Sequence, residues 1–416
     1  MPVERSRNAE ITMIKLPEIP TKKIVVKLTP KAEVLVKKGH PWIFDQSIAK
    51  QNTEGNSGDL VILFDNRKNK FLAVGFYDPF SPIRIKILQA NKPANINAEW
   101  FKNKIQEAYN KRKPLLKTAT NSYRLIYGEN DNLPSLVADV YDNVLVVKLY
   151  AQFWFAYLKD VLPELLATSN TDTLVLRLSR NVQKEGNEFG LHDGQVIHGE
   201  LENEVIIFKE HGVLFSANVI KGHKTGYFLD HRANRKKVGN MAKGKTVLDV
   251  FSYAGGFSVH ALAGGAKAVT SLDISAPALE LAKENANLNS YTGKHETIVG
   301  DAFDELENLA RQNSKFDIVV IDPPSFAKSA IEVDRAINSY KKLTVLGIKL
   351  VSKGGTLVLA SCSSRVTSDV FFELMEEVMQ TTNTNYTILE KTNHDIDHPI
   401  GFKEGSYLKT IYIRIN

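Results

Sequence analysis

The stretch VLDVFSYAGGFSVHAL, residues 247–262, narrows what this chain can fold into more than any other. A short apolar run carries Asp249 near its end. Ser252, Ala254 and the Gly255-Gly256 pair then make a tight turn of small residues, and an apolar helical pattern begins. Strand, tight turn and helix in that order form the opening unit of an open α/β sheet, with the turn at the sheet edge. The surroundings fit. Apolar runs recur at 246–251, 268–274, 317–322 and 356–361, and helical patterns separate them. Unbroken apolar strands alternating with helices predict a parallel sheet covered on both faces. The last runs, YTILEK (386–391) and LKTIYIRI (408–415), have no helix between them and are expected to pair as an antiparallel hairpin at the sheet's edge. Six or seven strands fit in residues 210–416.

The preceding half has another rhythm. Residues 1–21, with Pro2, Pro17 and Pro20, read as a loose leader. Short alternating runs at 23–28, 58–65, 71–77 and 83–88, separated by turn-rich pieces, predict a small β barrel or sandwich over residues 22–92. Between its first strands, Lys37-Lys38-Gly39-His40-Pro41-Trp42 forms a corner that resembles that of PUA domains, compact RNA-binding barrels; a purely structural barrel with Trp42 in its core is the alternative. Residues 95–205 read as a central α+β domain: a basic amphipathic helix stopped near Pro114, three strands in 123–150, a helix around 151–167 and a strand at 173–179. The polar stretch 183–190, with Lys184-Glu185-Gly186, reads as a loop that is either a turn or functional.

At 416 residues the chain is too long for one ordinary core. No apolar stretch reaches the roughly 18–20 residues of a membrane span, and the polar N-terminal segment lacks a signal-peptide core. A cytoplasmic protein is expected. One cysteine, Cys362, excludes an intramolecular disulfide and a cysteine metal cluster. The net charge of +6 is unevenly placed: residues 221–245 carry eight Lys/Arg against Asp230 alone. Such a surface suits a polyanion, or is simply solvated.

Which cofactor the turn serves is decided by three details. A dinucleotide fingerprint needs Gly-x-Gly-x-x-Gly, and the third glycine is missing here. The acid Asp249 before the turn would repel a pyrophosphate but suits a cationic amino-acid moiety. The closing antiparallel hairpin belongs to S-adenosylmethionine methyltransferases rather than to dinucleotide domains. The expected fold is therefore a Rossmann-like class I methyltransferase sheet binding S-adenosyl-L-methionine through Asp249, Ser252, Gly255 and Gly256. Asp273, ending the second strand, is placed for the ribose hydroxyls, and Asp301-Ala302, after the third, for the adenine edge. Helix capping is the other use such acids have.

The fourth strand ends in Asp322-Pro323-Pro324-Ser325-Phe326. Two prolines stiffen an exposed loop, and an acid-Pro-Pro-x-aromatic loop is typical of enzymes that methylate nucleobases, Phe326 stacking on the extruded base. Alone it allows a nitrogen or a carbon acceptor. The fifth strand ends at Cys362, in the same row as Asp322. C5 of cytosine is a poor nucleophile, and a thiolate added to C6 activates it. A lone cysteine is usually an inert core residue; this position reads as the nucleophile, with Asp322 holding N3.

Together, Gly39–Trp42, Asn130–Pro134, His223–Asp230, Phe251–Gly256, Asp322–Pro324, Ser361–Ser363, Asp397–Pro399 and Glu404–Lys409 resemble the bacterial ribosomal RNA large subunit methyltransferase I family, enzymes that make 5-methylcytosine in 23S rRNA. The resemblance covers nearly the whole chain. It implies that Thr225, Gly226, Tyr227, Asp230, Arg232 and Phe251 join the cofactor site, and that Lys38, His40, Trp42, Pro323, Pro324 and Phe326 meet substrate. The implied partner is 23S rRNA or a large-subunit precursor, with no membrane or metal, and a homodimer is left open. His394 and His398 lack further ligands for a metal site. Ser325 stands where a better-known group of RNA cytosine-5 methyltransferases has a second cysteine, so the base that removes the C5 proton is unassigned. The alternatives are a nitrogen methyltransferase of an rRNA guanine and a non-catalytic assembly factor.

Overall fold

The computed structural model describes residues 13–416, so most of the expected leader lies outside the described residues. Two compact units divide the chain. The first holds residues up to Phe208, with Ser216–Phe228 and Ile396–Phe402; the second holds Lys209–Phe215, Leu229–Asp395 and Lys403–Asn416.

In the first unit, strands β1 (Lys23–Leu28), β2 (Trp42–Ile43), β3 (Ile48–Gln51), β4 (Leu60–Phe64), β5 (Phe71–Tyr77) and β6 (Ile85–Ala90), with helix α1 (Pro30–Lys37), form one mixed sheet. Its order is β2-β6-β5-β4-β1-β3. The edge strands β2 and β3 are consecutive in the chain, Ile43 and Ile48 being joined by a short 3-10 turn. Five residues span at most about 18 Å, whereas the edges of a flat six-stranded sheet stand about 24 Å apart. The sheet must therefore roll up. Ile24, Val26, Leu63 and Tyr77 fill its inside.

The second sheet of this unit comprises β7 (Ser122–Tyr127), β8 (Leu136–Tyr141), β9 (Val144–Leu149), β10 (Thr173–Leu178) and β11 (Gln195–His198), in the order β11-β10-β9-β8-β7. Helix α2 (Ala98–Arg112) precedes it, and α3 (Leu158–Ser169) makes the crossover between the parallel strands β9 and β10. The stretch read as a loop forms a short helix, α4 (Gln183–Glu188). Its Gly186 is a packing residue, because a Cβ there would stand 2.6 Å from Leu178 Cδ1. The barrel and this layer share a core. Alternate residues of β5 face opposite ways, so Phe76 leaves the barrel and packs 4.8 Å from the Phe153 ring and 5.0 Å from Trp154. Residues 13–21 are not a loose leader either, since Leu16 is buried in the same core. Arg112, fully buried, is held by Asp131 at 2.6 and 2.9 Å.

A two-stranded sheet, β12 (Val205–Glu210) and β13 (Val213–Asn218), follows, and the division between units runs through it. His211 and Gly212 both take positive φ at its tip, as a two-residue hairpin requires.

The second unit contains α5 (Arg232–Met241), β14 (Thr246–Val250), α6 (Gly256–Ala263), β15 (Ala268–Asp273), α7 (Ala276–Asn287), β16 (Lys294–Val299), α8 (Ala302–Arg311), β17 (Phe316–Ile321), α9 (Val333–Leu350), β18 (Val351–Ser361), α10 (Ser368–Thr381), β19 (Tyr386–Thr392) and β20 (Lys409–Ile415). The seven strands run β16-β15-β14-β17-β18-β20-β19. All pairs are parallel except those of β20, which lies antiparallel to β18 and β19. This is the expected sheet with its closing hairpin. Chain order reverses between β14 and β17, and the crevice beyond their carboxyl ends is where open α/β sheets bind ligands. Among the described residues no helix is long and apolar enough to cross a membrane.

One buried ion cluster ties the start of this unit to its helices. Glu210, fully buried, accepts from Arg235 at 2.6 and 2.7 Å and lies 2.9 Å from His260 Nε2. Burial alone would push its carboxyl up, but Arg235 and His260 hold it well below the usual range. Burial lowers His260. Both folded values are depressed, so both contributions are present at neutral pH and fade on acidification, His260 below its ordinary 6.5 and Glu210 below 4.5. Glu210→Gln leaves Arg235 buried without its anion and is expected to cost about 3–5 kcal/mol in denaturant unfolding. A change within experimental error would show the cluster to be incidental.

Candidate active site

Beyond β14 the backbone bends sharply. Phe251 and Tyr253 take φ of 63° and 46°, and Gly255 takes 76°. Left-handed non-glycine residues are costly and cluster where a fold holds a ligand. Gly255 must lack a side chain for a second reason: its Cβ would stand 2.8 Å from Ala282 Cβ on α7. The turn is closed by Gly255 N donating to Ser252 O at 2.8 Å and is fixed to β15 by Ser252 N donating to Leu272 O at 3.0 Å. Gly256 then opens α6.

Asp249 is 1% exposed. Its Oδ2 accepts from Ser258 N at 2.9 Å and Ser258 Oγ at 2.7 Å. Its Oδ1 is buried and has no hydrogen-bond partner among the described residues, and Ser252 Oγ is in the same condition. Orphaned buried acceptors of this kind are expensive unless a ligand completes them. Burial, outweighing the Ser258 bonds, and the carboxylates of Asp322 and Asp273 push Asp249 up to about 7. A cationic group on Oδ1 would relieve both penalties, so the turn fits the aminoacyl end of S-adenosylmethionine.

The other acids are held by backbone. Asp273 accepts from Tyr253 N and Ser275 N, each at 2.9 Å. Asp301 is the N-cap of α8, accepting from Phe303 N at 2.9 Å and Asp304 N at 3.3 Å, with Ala302 opening the helix. The side chain of Asp301 caps the helix and remains exposed. Asp230 accepts from Tyr407 Oη at 2.7 Å. Arg232, fully buried, pairs with Asp395 at 3.2 Å.

Asp322 follows β17, and its N donates to Val250 O at 3.3 Å, joining the two strands at the reversal. Its Oδ1 lies 3.2 Å from His231 Nε2, an ionic contact whose N–H direction misses a well-aligned hydrogen bond. Burial opposes charge on His231, yet Asp322 and then Asp230 raise its pKa overall. Sequence reasoning missed His231, although it stands between two residues singled out. Pro323 is buried and Pro324 exposed. Phe326 is half-buried and edge-on to Tyr340, 5.3 Å away, so its ring anchors the loop.

Cys362 stands just past β18, with Sγ donating to Pro323 O at 3.5 Å. Its flanking serines are tied down: Ser361 Oγ meets Tyr340 Oη at 2.8 Å, and Ser363 Oγ donates to Ala327 O at 3.3 Å. Burial pushes the thiol up to about 12, Asp322 and Asp230 adding to the rise and Lys409 opposing it.

The remaining cofactor and substrate candidates lie in the first unit. Thr225 Oγ1 donates to Asp139 Oδ2 at 2.5 Å and meets Tyr141 Oη at 3.0 Å. Tyr227 N donates to Tyr141 Oη at 3.1 Å, and Gly226 takes a φ of 141°. At the barrel corner Lys38 is exposed. Trp42 donates from Nε1 to Glu129 at 3.0 Å, and its ring packs 5.9 Å from His40 and 5.0 Å from Phe402. The indole donor is therefore spent within the protein. His394 Nε2 accepts from Leu408 N at 3.1 Å, and His398 Nδ1 bonds Asp397 at 2.9 Å. Among the described residues no three His, Cys, Asp or Glu groups gather as a metal site.

The turn makes a pH-dependent prediction. Asp249 is ionised above about 7. The affinity for S-adenosylhomocysteine, which keeps the cationic amino group, should rise about tenfold from pH ~6 to pH ~8. Asp249→Asn should abolish that slope in calorimetric titrations. A slope unchanged in the variant would remove Asp249 from the cofactor site.

Comparison with known proteins agrees with this geometry. Residues 128–404 match the model of an S-adenosylmethionine-dependent methyltransferase family, and residues 26–90 match a PUA-like domain. The chain is 39% identical to a ribosomal RNA large subunit methyltransferase of Deinococcus radiodurans, over 94% of this chain and 97% of that one. It is 35% identical to a ribosomal RNA large subunit methyltransferase I of Escherichia coli, over 90% and 95%. In fold it is similar to a solved SAM-dependent methyltransferase of Streptococcus mutans, with a TM-score of 0.78 at 24% identity, covering 94% of this chain and all of that one. Another solved methyltransferase, complexed with SAH, gives the same score. The chain belongs to the S-adenosylmethionine-dependent methyltransferases and, among them, to the ribosomal RNA large subunit methyltransferase I family.

Proposed function

We propose that this protein methylates C5 of a cytosine in 23S rRNA, as free RNA or in a large-subunit precursor, through a covalent Cys362–C6 adduct. The observation that carries the reading is the position of the chain's one thiol, against the carbonyl of Pro323 in the Asp-Pro-Pro loop. The relatives' names supply the rRNA class.

In this reading Asp249, Ser252 and the Gly255-Gly256 turn hold the aminoacyl end of S-adenosylmethionine, Asp273 the ribose and Asp301-Ala302 the adenine. Bound there, S-adenosylmethionine supplies an electrophilic methyl group and a positive charge. Cys362 Sγ adds to C6, its electron pair forming the S–C bond while the C5–C6 π pair makes C5 nucleophilic. Asp322 holds N3 and stabilises the adduct. After methylation C5 loses its proton, the double bond re-forms and the C6–S bond breaks. The target base must leave its stack to reach this edge, and the stiff loop at Pro323-Pro324 is placed to receive it.

One observation favours a second reading. A thiol raised to about 12 is almost wholly protonated at neutral pH. A nitrogen methyltransferase acting on guanine would need Asp322-Pro323-Pro324 and no thiolate. The two are separated by Cys362→Ala. We expect transfer of labelled methyl to undermodified large-subunit rRNA to fall by on the order of 10³-fold or more, as for other nucleophile deletions. Full activity in that variant would sink the covalent mechanism. Locating 5-methylcytosine in rRNA from cells with and without the gene identifies the product.

The barrel corner is testable by substitution. Removing residues 1–92 would uncover the aromatic core around Phe76 and Trp154, so the informative variant is Lys38→Ala. It should weaken rRNA binding and reduce the slope of log affinity against log salt by about one unit if Lys38 meets a phosphate. An unaltered slope would take Lys38 out of the RNA-binding surface.

A further inference from the structure

Lys409 is a buried cation without an acid. It opens β20, is 1% exposed, and stands opposite Ser361, one residue before Cys362, in the antiparallel register with β18. Its Nζ donates to the carbonyl oxygens of Ser363 and, at 3.0 Å, Tyr407. Carbonyls satisfy N–H groups but leave the net charge uncompensated, and a buried charge is normally matched by a counter-ion. No carboxylate forms an ion pair with Lys409 among the described residues, unlike Arg232 and Arg235 in the same unit. The ammonium is held by the carbonyl of Ser363, the residue after Cys362, and the group acting on it that can carry negative charge is Cys362. The influence is mutual: burial pulls the Lys409 ammonium down to about 8 while Cys362 holds it up, and Lys409 opposes the rise of the thiol.

We propose that Lys409 is the counter-cation of the Cys362 thiolate, a positioning residue that stabilises the sulfur's negative charge when it forms and when C6 releases it. The inference rests on the reading of Cys362 as nucleophile, but its electrostatic content is measurable without turnover. The balance is simple. The S–H bond breaks, its proton passes to a buffer base, and the electron pair stays on sulfur beside the ammonium. That pair then makes the S–C6 bond and returns to the same place on expulsion. Lys409 keeps its protons throughout. Asp322, Asp230 and Tyr340 are the other titratable groups acting at the thiol, and the two carboxylates oppose ionisation. A cation on the β20 side is what remains to favour it.

Because Cys362 is the only cysteine, alkylation of the native protein by iodoacetamide reads its thiolate alone. Lys409→Gln keeps an N–H donor for the carbonyls and removes the charge. At pH ~7, where Lys409 still carries its charge, we expect it to alkylate about tenfold more slowly than wild type, the equivalent of one pKa unit. Wild-type alkylation rates in the folded Gln variant would overturn the proposal. If that variant does not fold, Lys409→Arg carries the test. A permanent charge should keep the log rate rising with unit slope through the region near pH ~8 where the wild-type slope drops as Lys409 discharges. Identical profiles would overturn the proposal equally. Retained methyl transfer in Cys362→Ala would instead defeat the nucleophile reading and leave the alkylation comparison intact, so the two failures are distinguishable.

Discussion

Carboxylates gathered at one sheet edge set the electrostatics of the groups around them. The reversal between β14 and β17 brings Asp249 and Asp322 to adjacent strand ends, with Asp273 one strand away. Two fully buried acids elsewhere in the chain are matched by arginine, Asp131 by Arg112 and Glu210 by Arg235. At this edge the partners of Asp249 and Asp273 are backbone amides and a serine. The negative charge is held in place rather than cancelled. Burial and this mutual repulsion raise Asp249 and Cys362, and Asp322 raises His231. A site so arranged resists further negative charge until a cation arrives. That is the condition a sulfonium cofactor and a latent thiolate both require.

Much of this was legible in the sequence, because the signals were periodic or local. The apolar strands β14, β15, β17 and β18 and the small-residue turn announced the sheet, while its switch point emerged only with the strand order. The final hairpin was legible from the missing helix. What escaped was structure without an apolar signature. Strand β16, KHETIV, is an edge strand with no fully buried residue, so its sequence shows no run and its place was marked only by the Asp301-Ala302 that follows it. Strand β2 is two residues long. The 183–190 stretch folds as helix although it is polar, because Gly186 packs beneath it. The barrel and the central layer read as separate rhythms, and no sequence pattern shows that Phe76 turns outward to join them.

The site divided in the same way. Residues at strand ends, namely Asp249, Asp273, Asp322 and Cys362, were singled out by position. His231 was not, and Lys409 entered only within the Glu404–Lys409 segment of the resemblance, because each meets the strand ends from a distant part of the chain. A lysine near the chain's end looks like one more surface charge, and only its burial beside Ser363 distinguishes it. Phe326 and Trp42 show the converse. Phe326 was read as a substrate contact from its loop motif and Trp42 from the barrel-corner resemblance, with a core role as its alternative, and both rings are engaged within the protein, with Tyr340 and with Phe402.

The central claim is that the thiol of Cys362 bonds to the base it methylates. Its most direct test is intact-mass and peptide analysis of the protein after reaction with S-adenosylmethionine and substrate rRNA in which cytidine is replaced by 5-fluorocytidine. Fluorine at C5 cannot be removed as a proton is, so the adduct cannot resolve. The account predicts a stable RNA–protein conjugate whose nuclease-trimmed remnant maps to Cys362. Methylated product without any conjugate, or a remnant mapped to another residue, would contradict it.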